Sequence, residues 1–340
     1  MAFPKLLADA APVFAAPMAG GPTTPALVVS ASRAGHFGQL AAGYKTVEGM
    51  TGEIAQVRDA GVQAFGVNLF VPNPVPITPG DYLAYAEHLA PIAAELGQTL
   101  PELNEDGDDL WAAKVDALVA DPVPVLSFTF GLPPVADIRR LREAGSFTLQ
   151  TVTSVAEARA AQEAGVDGLA VQGFAAGGHS GIWDGTALPP DLPLTELIRG
   201  VSAEVALPLL AAGGISSADQ VRDVLAAGAN AVVVGTMLMR SDEAGTSQVH
   251  KNALADPQFD RTVLTRAFTG RAARALVNDF TRRFTDVAPS GYPALHYLTR
   301  GIRSASAAAD DPSRVHLWAG EGWRDATTGP VATALAALLP

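Results

Sequence analysis

The sequence predicts an α/β fold, a (β/α)8 TIM barrel carrying a smaller helical domain as a cap. Three observations carry this reading. Helical stretches ending in Ala-Gly, each followed by a short apolar strand, recur up to Arg240. Eight strands can be counted over that span. Glycines stand at the ends of the last two, where barrels of this kind bind phosphate.

The repeat reads SASRAG before HFGQLAAG, VRDAG before VQAFGVNLF, LREAG before SFTLQTV, QEAG before VDGLAVQG and VLAAG before ANAVVVGT. Gly35, Gly61, Gly145, Gly165 and Gly228 fall just past the helix ends. That position takes a left-handed backbone, which a β-carbon disfavours. The predicted strands are 13–19, 37–42, 65–70, 123–130, 147–152, 168–172, 207–212 and 231–234. Most are apolar without alternation, as strands covered on both faces of a parallel sheet are. Strand and helix alternating this often imply right-handed crossovers. A doubly wound open sheet alternates in the same way, so the ligand motifs decide for the barrel.

Helix starts are marked by Ser154, with Glu157 three residues on in a capping-box arrangement, and by Ser217 with Asp219 in the first turn. The stretch 98–122 breaks the period and reads as an elaborated connection. After Arg240 the Ala-Gly rhythm stops. Residues from about 241 to 303 read as the helical cap. Residues 1–240 and about 304–340 read as the barrel.

Composition narrows the function. With 48% hydrophobic and 17% charged residues, the chain can bury a large core and is not disordered. A net charge of −12 repels nucleic acid, so any anionic ligand must be held by local N–H groups. The absence of cysteine excludes disulfides, thiolate metal sites and cysteine nucleophiles. The first residues resemble a signal peptide, but Asp9, Pro12 and Pro17 interrupt the apolar run. No run reaches membrane-spanning length without a charge or proline, and a soluble cytoplasmic protein is expected.

The seventh predicted strand ends LLAAGGIS, with Gly213 and Gly214, and the eighth ends VVVGTMLM, with Gly235 and Thr236. Such glycines let the backbone approach a phosphate whose charge is met by N–H groups. The alternative is a pair of tight turns with no ligand. After the sixth strand, Gln172 leads into the loop GFAAGGH, which delivers His179 to the barrel mouth. An imidazole there suits proton transfer near neutrality; a structural hydrogen bond is the plainer alternative. Asn68, at the end of FGVNLF, suits either a hydrogen bond to a ring carbonyl or N–H, or a cap on the following loop. No histidine pair has the spacing of a helical metal site, so no metal is expected.

Taken in order, AAPMAGGPTTP, FGVNLF, LSFTFG, VQGFAAGGH, PLLAAGGI, VGT, TRAFTGRAAR, YPALHYLT and LWAGEG resemble the nitronate monooxygenase family, class I in particular. The resemblance implies a barrel holding FMN, and a cap that closes the substrate cavity. It implies oxidation of alkyl nitronates, and of nitroalkanes by extension, with O2 to a carbonyl compound and nitrite. Ala16, Pro17 and Met18 would line the flavin ring, while Asn68 and Gln172 would hydrogen-bond it. Gly177, Gly178, Gly213, Gly214, Gly235 and Thr236 would hold the phosphate end, with Val233 beside them. His179 matches the family's active-site histidine. Tyr292, His296 and Tyr297 are candidate substrate contacts in the cap. Three departures stand out: Val233 replaces a frequent Gln, Phe174-Ala175 precedes the glycines where Glu-Ala is frequent, and Thr129 replaces a frequent His. Alternatives are an FMN-dependent enoyl-thioester reductase using NAD(P)H, a flavin-binding barrel without turnover, and a phosphosugar or nucleotide enzyme without flavin.

Overall fold

The computed structural model describes residues 3–340; Met1 and Ala2, where the leader-like segment begins, lie outside the described residues. Eight parallel strands close into the expected TIM barrel. They are β1 (Val13–Ala15), β2 (Gln39–Ala41), β3 (Gly66–Phe70), β4 (Val125–Thr129), β5 (Phe147–Val152), β6 (Gly168–Gln172), β8 (Leu209–Ala212) and β9 (Ala231–Val234). The hydrogen-bonded order is β1-β9-β8-β6-β5-β4-β3-β2. A parallel bridge from Ala15 to Gly38 joins the two ends of that order. The two-residue β7 (Gly178–His179) lies outside the barrel, so the predicted seventh and eighth strands are β8 and β9. No helix among the described residues is long and apolar enough to cross a membrane.

Several strands are shorter than the sequence predicts, for local reasons. β1 stops before Pro17, which has no N–H to donate; the last bond runs from Ala16 N–H to the Val234 carbonyl at 2.9 Å. β4 starts after Pro124 and ends where Phe130 turns to φ 82°. β8 starts after Pro208 for the same reason as β1 stops. The five glycines of the repeat all have positive φ, between 81° and 118°. Ser154 accepts the Glu157 N–H at 3.2 Å. Glu157 does not complete a capping box; its carboxylate takes the Thr153 N–H at 2.6 Å and the Trp183 N–H at 2.8 Å.

Inward-facing side chains change character along the barrel axis. Near the strands' N-terminal ends they are apolar: Phe14, Val125, Leu149, Leu210 and Ala231 pack with Leu7 of the short helix Lys5–Ala8. One layer further, on the same inward faces, stand Gln39, Asn68, Ser127, Thr129, Thr151 and Gln172. Outward residues such as Val67, Leu69, Leu126 and Phe128 pack against the helices.

The segment read as a helical cap also contains strands. β10 (Thr262–Thr265) and β11 (Ala273–Leu276) form an antiparallel sheet with β7, in which Ala273 pairs with His179. The helix Ala294–Ala308 packs on the helix Pro79–Glu95, and a separate core forms there around Tyr82, Tyr85, Phe268, Phe280 and Leu295. Val331–Ala336 packs back against Leu27 and Ala31 on the barrel wall. Truncating Leu149 to Ala, at the centre of the apolar plug, should lower the unfolding free energy by about 2–5 kcal/mol. Urea denaturation would measure this; a loss below about 1 kcal/mol would contradict a packed plug.

Candidate active site

The C-terminal ends of the barrel strands open into a cavity of about 900 Å³. Its floor is the polar layer. Ser127 Oγ donates to Gln39 Oε1 at 2.8 Å and accepts from Asn68 Nδ2 at 2.8 Å. Asn68 Nδ2 also donates to Thr129 Oγ1 at 3.1 Å, and Thr129 lies 3.3 Å from the Thr151 hydroxyl. Thr129, where the family often has His, therefore belongs to the floor.

One wall is made of glycines in close backbone contact. A β-carbon on Gly177 would stand 2.4 Å from the Gly320 nitrogen and 2.9 Å from Thr236 Oγ1. One on Gly214 would meet the Ala175 β-carbon at 2.6 Å. The wall joins the loop after β6, the ends of β8 and β9 and the turn at Gly320. Thr236 Oγ1 accepts the Gly320 N–H at 3.0 Å. Arg274 holds the loop in place: it donates twice to the Phe174 carbonyl, stacks on the Phe174 ring at 4.6 Å and pairs with Glu321 at 3.1 Å. Phe174, one of the departures from the family pattern, thus supplies the ring under that guanidinium.

His179 stands on the opposite side, among Phe130, Tyr292 and Trp318, with ring centroids 5.3–5.8 Å away. Its Nε2 is 2.9 Å from Thr269 Oγ1, which donates to the Arg271 carbonyl at 3.3 Å. With the hydroxyl proton so used, the imidazole donates from Nε2 and Nδ1 keeps its lone pair. Gln172 braces this hairpin: its Oε1 accepts the Gly181 N–H at 2.6 Å and its Nε2 donates to the His179 carbonyl at 3.3 Å. Most of that amide is spent on the protein itself, not on a ligand.

The roof comes from the cap. Arg303 is buried and donates to the His296 carbonyl at 2.8 Å and to Thr299 at 3.1 Å. Its Nη atoms lie 3.5 Å from Nδ1 of both His296 and His316. Arg271 is fully buried; it donates to the Ile182 carbonyl and lies 4.4 Å over the Phe130 ring. Neither arginine has a carboxylate within ion-pair distance among the described residues. Burial lowers both to about 10, so both stay charged at neutral pH. Burial, reinforced by Arg271 and Arg303, pushes His179 down to about 3. His296 falls to about 2 for the same first cause, with Arg303 next. The roof therefore combines neutral imidazoles with the charge of Arg303, while Arg271 lies behind Phe130.

The mouth uses the irregular stretch before the helix Trp111–Ala120. Tyr44 stacks on His296 at 4.7 Å, and its N–H donates to Asp109, which pairs with buried Lys114 at 2.8 Å. Tyr297 donates to the Asp106 carbonyl at 2.8 Å.

The cavity collects nearly all the residues singled out from sequence. Ala16, Pro17, Met18, Asn68, Gln172, Gly177, Gly178, Gly213, Gly214, Val233, Gly235 and Thr236 line it, as do Thr129, His179, His296 and Tyr297. Tyr292 does not line it; it packs behind His179 and donates to the Tyr44 hydroxyl at 3.1 Å. Sequence reasoning missed Gln39, Ser127, Thr151, Tyr44, Thr269, Arg271 and Arg303. For the first three a signal existed: polar side chains on the inward faces of otherwise apolar strands. Thr269 and Arg271 stand in the motif TRAFTGRAAR, and Tyr44 and Arg303 carried no signal.

A family model described as nitronate monooxygenase matches residues 4–340. The chain belongs to the nitronate monooxygenase family. A probable nitronate monooxygenase of Staphylococcus aureus (strain MSSA476) is 34% identical over 336 residues, covering 97% of this chain and 93% of the relative. Among solved structures, a nitroalkane oxidase from Streptomyces ansochromogenes superposes with a TM-score of 0.92 at 45% identity, covering 98% of this chain and 96% of that one. FabK from Thermotoga maritima shares the fold, with a TM-score of 0.74 at 24% identity, covering 98% and 93%.

The buried imidazoles give this family member a defined acid sensitivity. An unfolded histidine binds its proton near pH 6.5, whereas His179 does so only near 3 and His250 only near 4. Between those values the unfolded state holds the extra protons, so stability falls as pH drops below about 6.5. Urea midpoints measured from pH 7 to pH 4 should decline, and His179→Asn should flatten the decline. A midpoint independent of pH would contradict the neutral assignment.

Proposed function

We propose that the protein is an FMN-dependent nitronate monooxygenase, converting alkyl nitronates and O2 to a carbonyl compound and nitrite. The observation that carries this is the pairing of a glycine-walled end of the cavity with a neutral His179 and with Arg303, a buried guanidinium on the cavity lining that has no carboxylate within ion-pair distance among the described residues. Buried cations without counter-ions favour an anionic ligand, and a nitronate is a small anion.

The residues present fit FMN. Gly177, Gly213, Gly214 and Gly320 form a wall in which added β-carbons would collide or the backbone takes positive φ, and a β-carbon on Gly235 would crowd Met18 Sδ at 3.3 Å. With Thr236 they would hold the phosphate. Met18 and the polar floor would flank the ring. Bound FMN would supply electron acceptance and its transfer to oxygen.

The protein's own part is binding and electrostatics. Arg303 faces the cavity and would attract the nitronate oxygens, with Arg271 adding charge from behind Phe130. The aromatic box of Phe130, Tyr292 and Trp318 keeps water from His179 and strengthens those fields. His179 Nδ1 is a free acceptor, but its conjugate acid is too strong for it to drive removal of a nitroalkane's α-proton. The site thus favours substrates already ionised. Turnover on a preformed nitronate should exceed that on the parent nitroalkane by at least about tenfold.

Oxygen uptake by FMN-loaded protein given a small alkyl nitronate, with no nicotinamide present, tests the proposal. Saturable uptake with nitrite release is expected. His179→Ala should keep FMN and lose most turnover. Arg303→Met should raise KM by about tenfold or more, the usual worth of a charged hydrogen bond. Yellow protein without uptake would overturn the reading.

A further inference from the structure

Tyr44 stands at the edge of the cavity in a conformation that its residue type disfavours. Its φ is 66°, a left-handed backbone that a β-carbon makes costly. The fold holds it there by its N–H, which donates to Asp109 Oδ1 at 2.9 Å. Asp109 is fixed in turn by buried Lys114, which also donates to the Ala42 carbonyl at 2.9 Å. The ring is gripped as well. It lies parallel to His296 at 4.7 Å and edge-on to Phe70 at 5.3 Å. Backbone and ring together specify where the hydroxyl stands.

That hydroxyl has one partner and a proton to spare. Tyr292 donates to it at 3.1 Å. The reverse direction is disfavoured. Tyr292 is 7% exposed, does not line the cavity and has no second acceptor for its own proton among the described residues. Tyr44 is 41% exposed and lines the cavity, so its proton is available to whatever the cavity holds. Desolvation pushes its pKa up to about 12, so the proton is present at neutral pH. Arg303 is a second donor close by. Both residues contact the same imidazole, His296: Arg303 at Nδ1, 3.5 Å away, and Tyr44 across the ring face.

We propose that Tyr44 is a substrate-binding residue whose hydroxyl donates to an oxygen of the bound nitronate, beside Arg303, and that Tyr292 is the positioning residue for that hydroxyl. This rests on the nitronate reading above. A nitronate spreads its charge over two oxygens of one planar group, so one can meet the guanidinium and the other the phenol. Accepting from Tyr292 polarises the Tyr44 O–H and makes it a better donor. The contact strengthens binding of an ionised substrate and takes no part in electron transfer.

Oxygen uptake by FMN-loaded protein given an alkyl nitronate, measured for Tyr44→Phe, Tyr292→Phe and the double variant, tests this. Tyr44→Phe keeps the ring and its stacking and loses only the hydroxyl. It should raise KM by about tenfold or more, the worth of a hydrogen bond to a charged group, with kcat little changed. FMN affinity, read from flavin fluorescence, should be unchanged. Tyr292→Phe should raise KM by about threefold in the wild type and have no effect in the Tyr44→Phe background, because it acts only through that hydroxyl. A merely structural role would instead lower kcat or FMN affinity and make the two effects independent. A KM unaltered by Tyr44→Phe, or an equal effect of Tyr292→Phe in both backgrounds, would overturn the proposal. FMN-loaded wild type that shows no uptake would overturn the nitronate reading itself and this inference with it.

Discussion

A closed barrel must fill its own interior, and the way this one does so determines the site. Phe14, Val125, Leu149 and Leu210 form an apolar plug at one end. Above it the same inward positions carry Gln39, Asn68, Ser127, Thr129 and Thr151, which are too polar to be buried without partners. They satisfy one another sideways across four strands. The apolar plug makes the barrel stable; the polar layer makes its top a binding floor. Every other part of the site is arranged around that layer.

The roof solves a different problem. Two arginines are buried with carbonyls and aromatic faces as partners in place of carboxylates. Their charge, added to burial, keeps the surrounding histidines neutral. A carboxylate placed beside either arginine would cancel much of that field. Thr129 fits the same arrangement. An imidazole at that position would meet the Asn68 amide differently, and here the hydroxyl completes the floor network.

His179 is placed by one distant segment, residues 269–273, and by Gln172 seven residues before it. β11 pairs with its backbone, Thr269 takes its Nε2, and Gln172 braces the carbonyl. The loop that carries it also forms the glycine wall, and Arg274 clamps that loop from the cap. The glycine wall and the imidazole are therefore mechanically linked through residues 173–179.

Much of this was legible from the sequence for a physical reason. The repeat of Ala-Gly endings records a local backbone requirement, because a left-handed residue past a helix favours glycine wherever the chain goes next. The glycines at 213, 214 and 235 and the loop around His179 likewise state local geometry, and they marked the correct end of the barrel. Prolines and the left-handed Phe130 shortened the first, fourth and seventh expected strands, and the second, expected over 37–42, pairs only over 39–41. The strands at 262–265 and 273–276 pair with each other, and the third strand of their sheet, β7, is two residues long and far away in sequence. Tyr292 was assigned to the substrate because its type suited the role, yet packing put it behind His179. The burial of Arg271 and Arg303 was not legible, since nothing in one dimension shows that a cation lacks a counter-ion. The sequence by itself determined the barrel, its polarity and the glycine cradle, all consequences of local backbone preference and hydrophobic pattern. Only the tertiary structure decided which polar groups meet, which charges stay uncompensated and which atoms face the cavity, because those depend on contacts between residues tens to hundreds of positions apart.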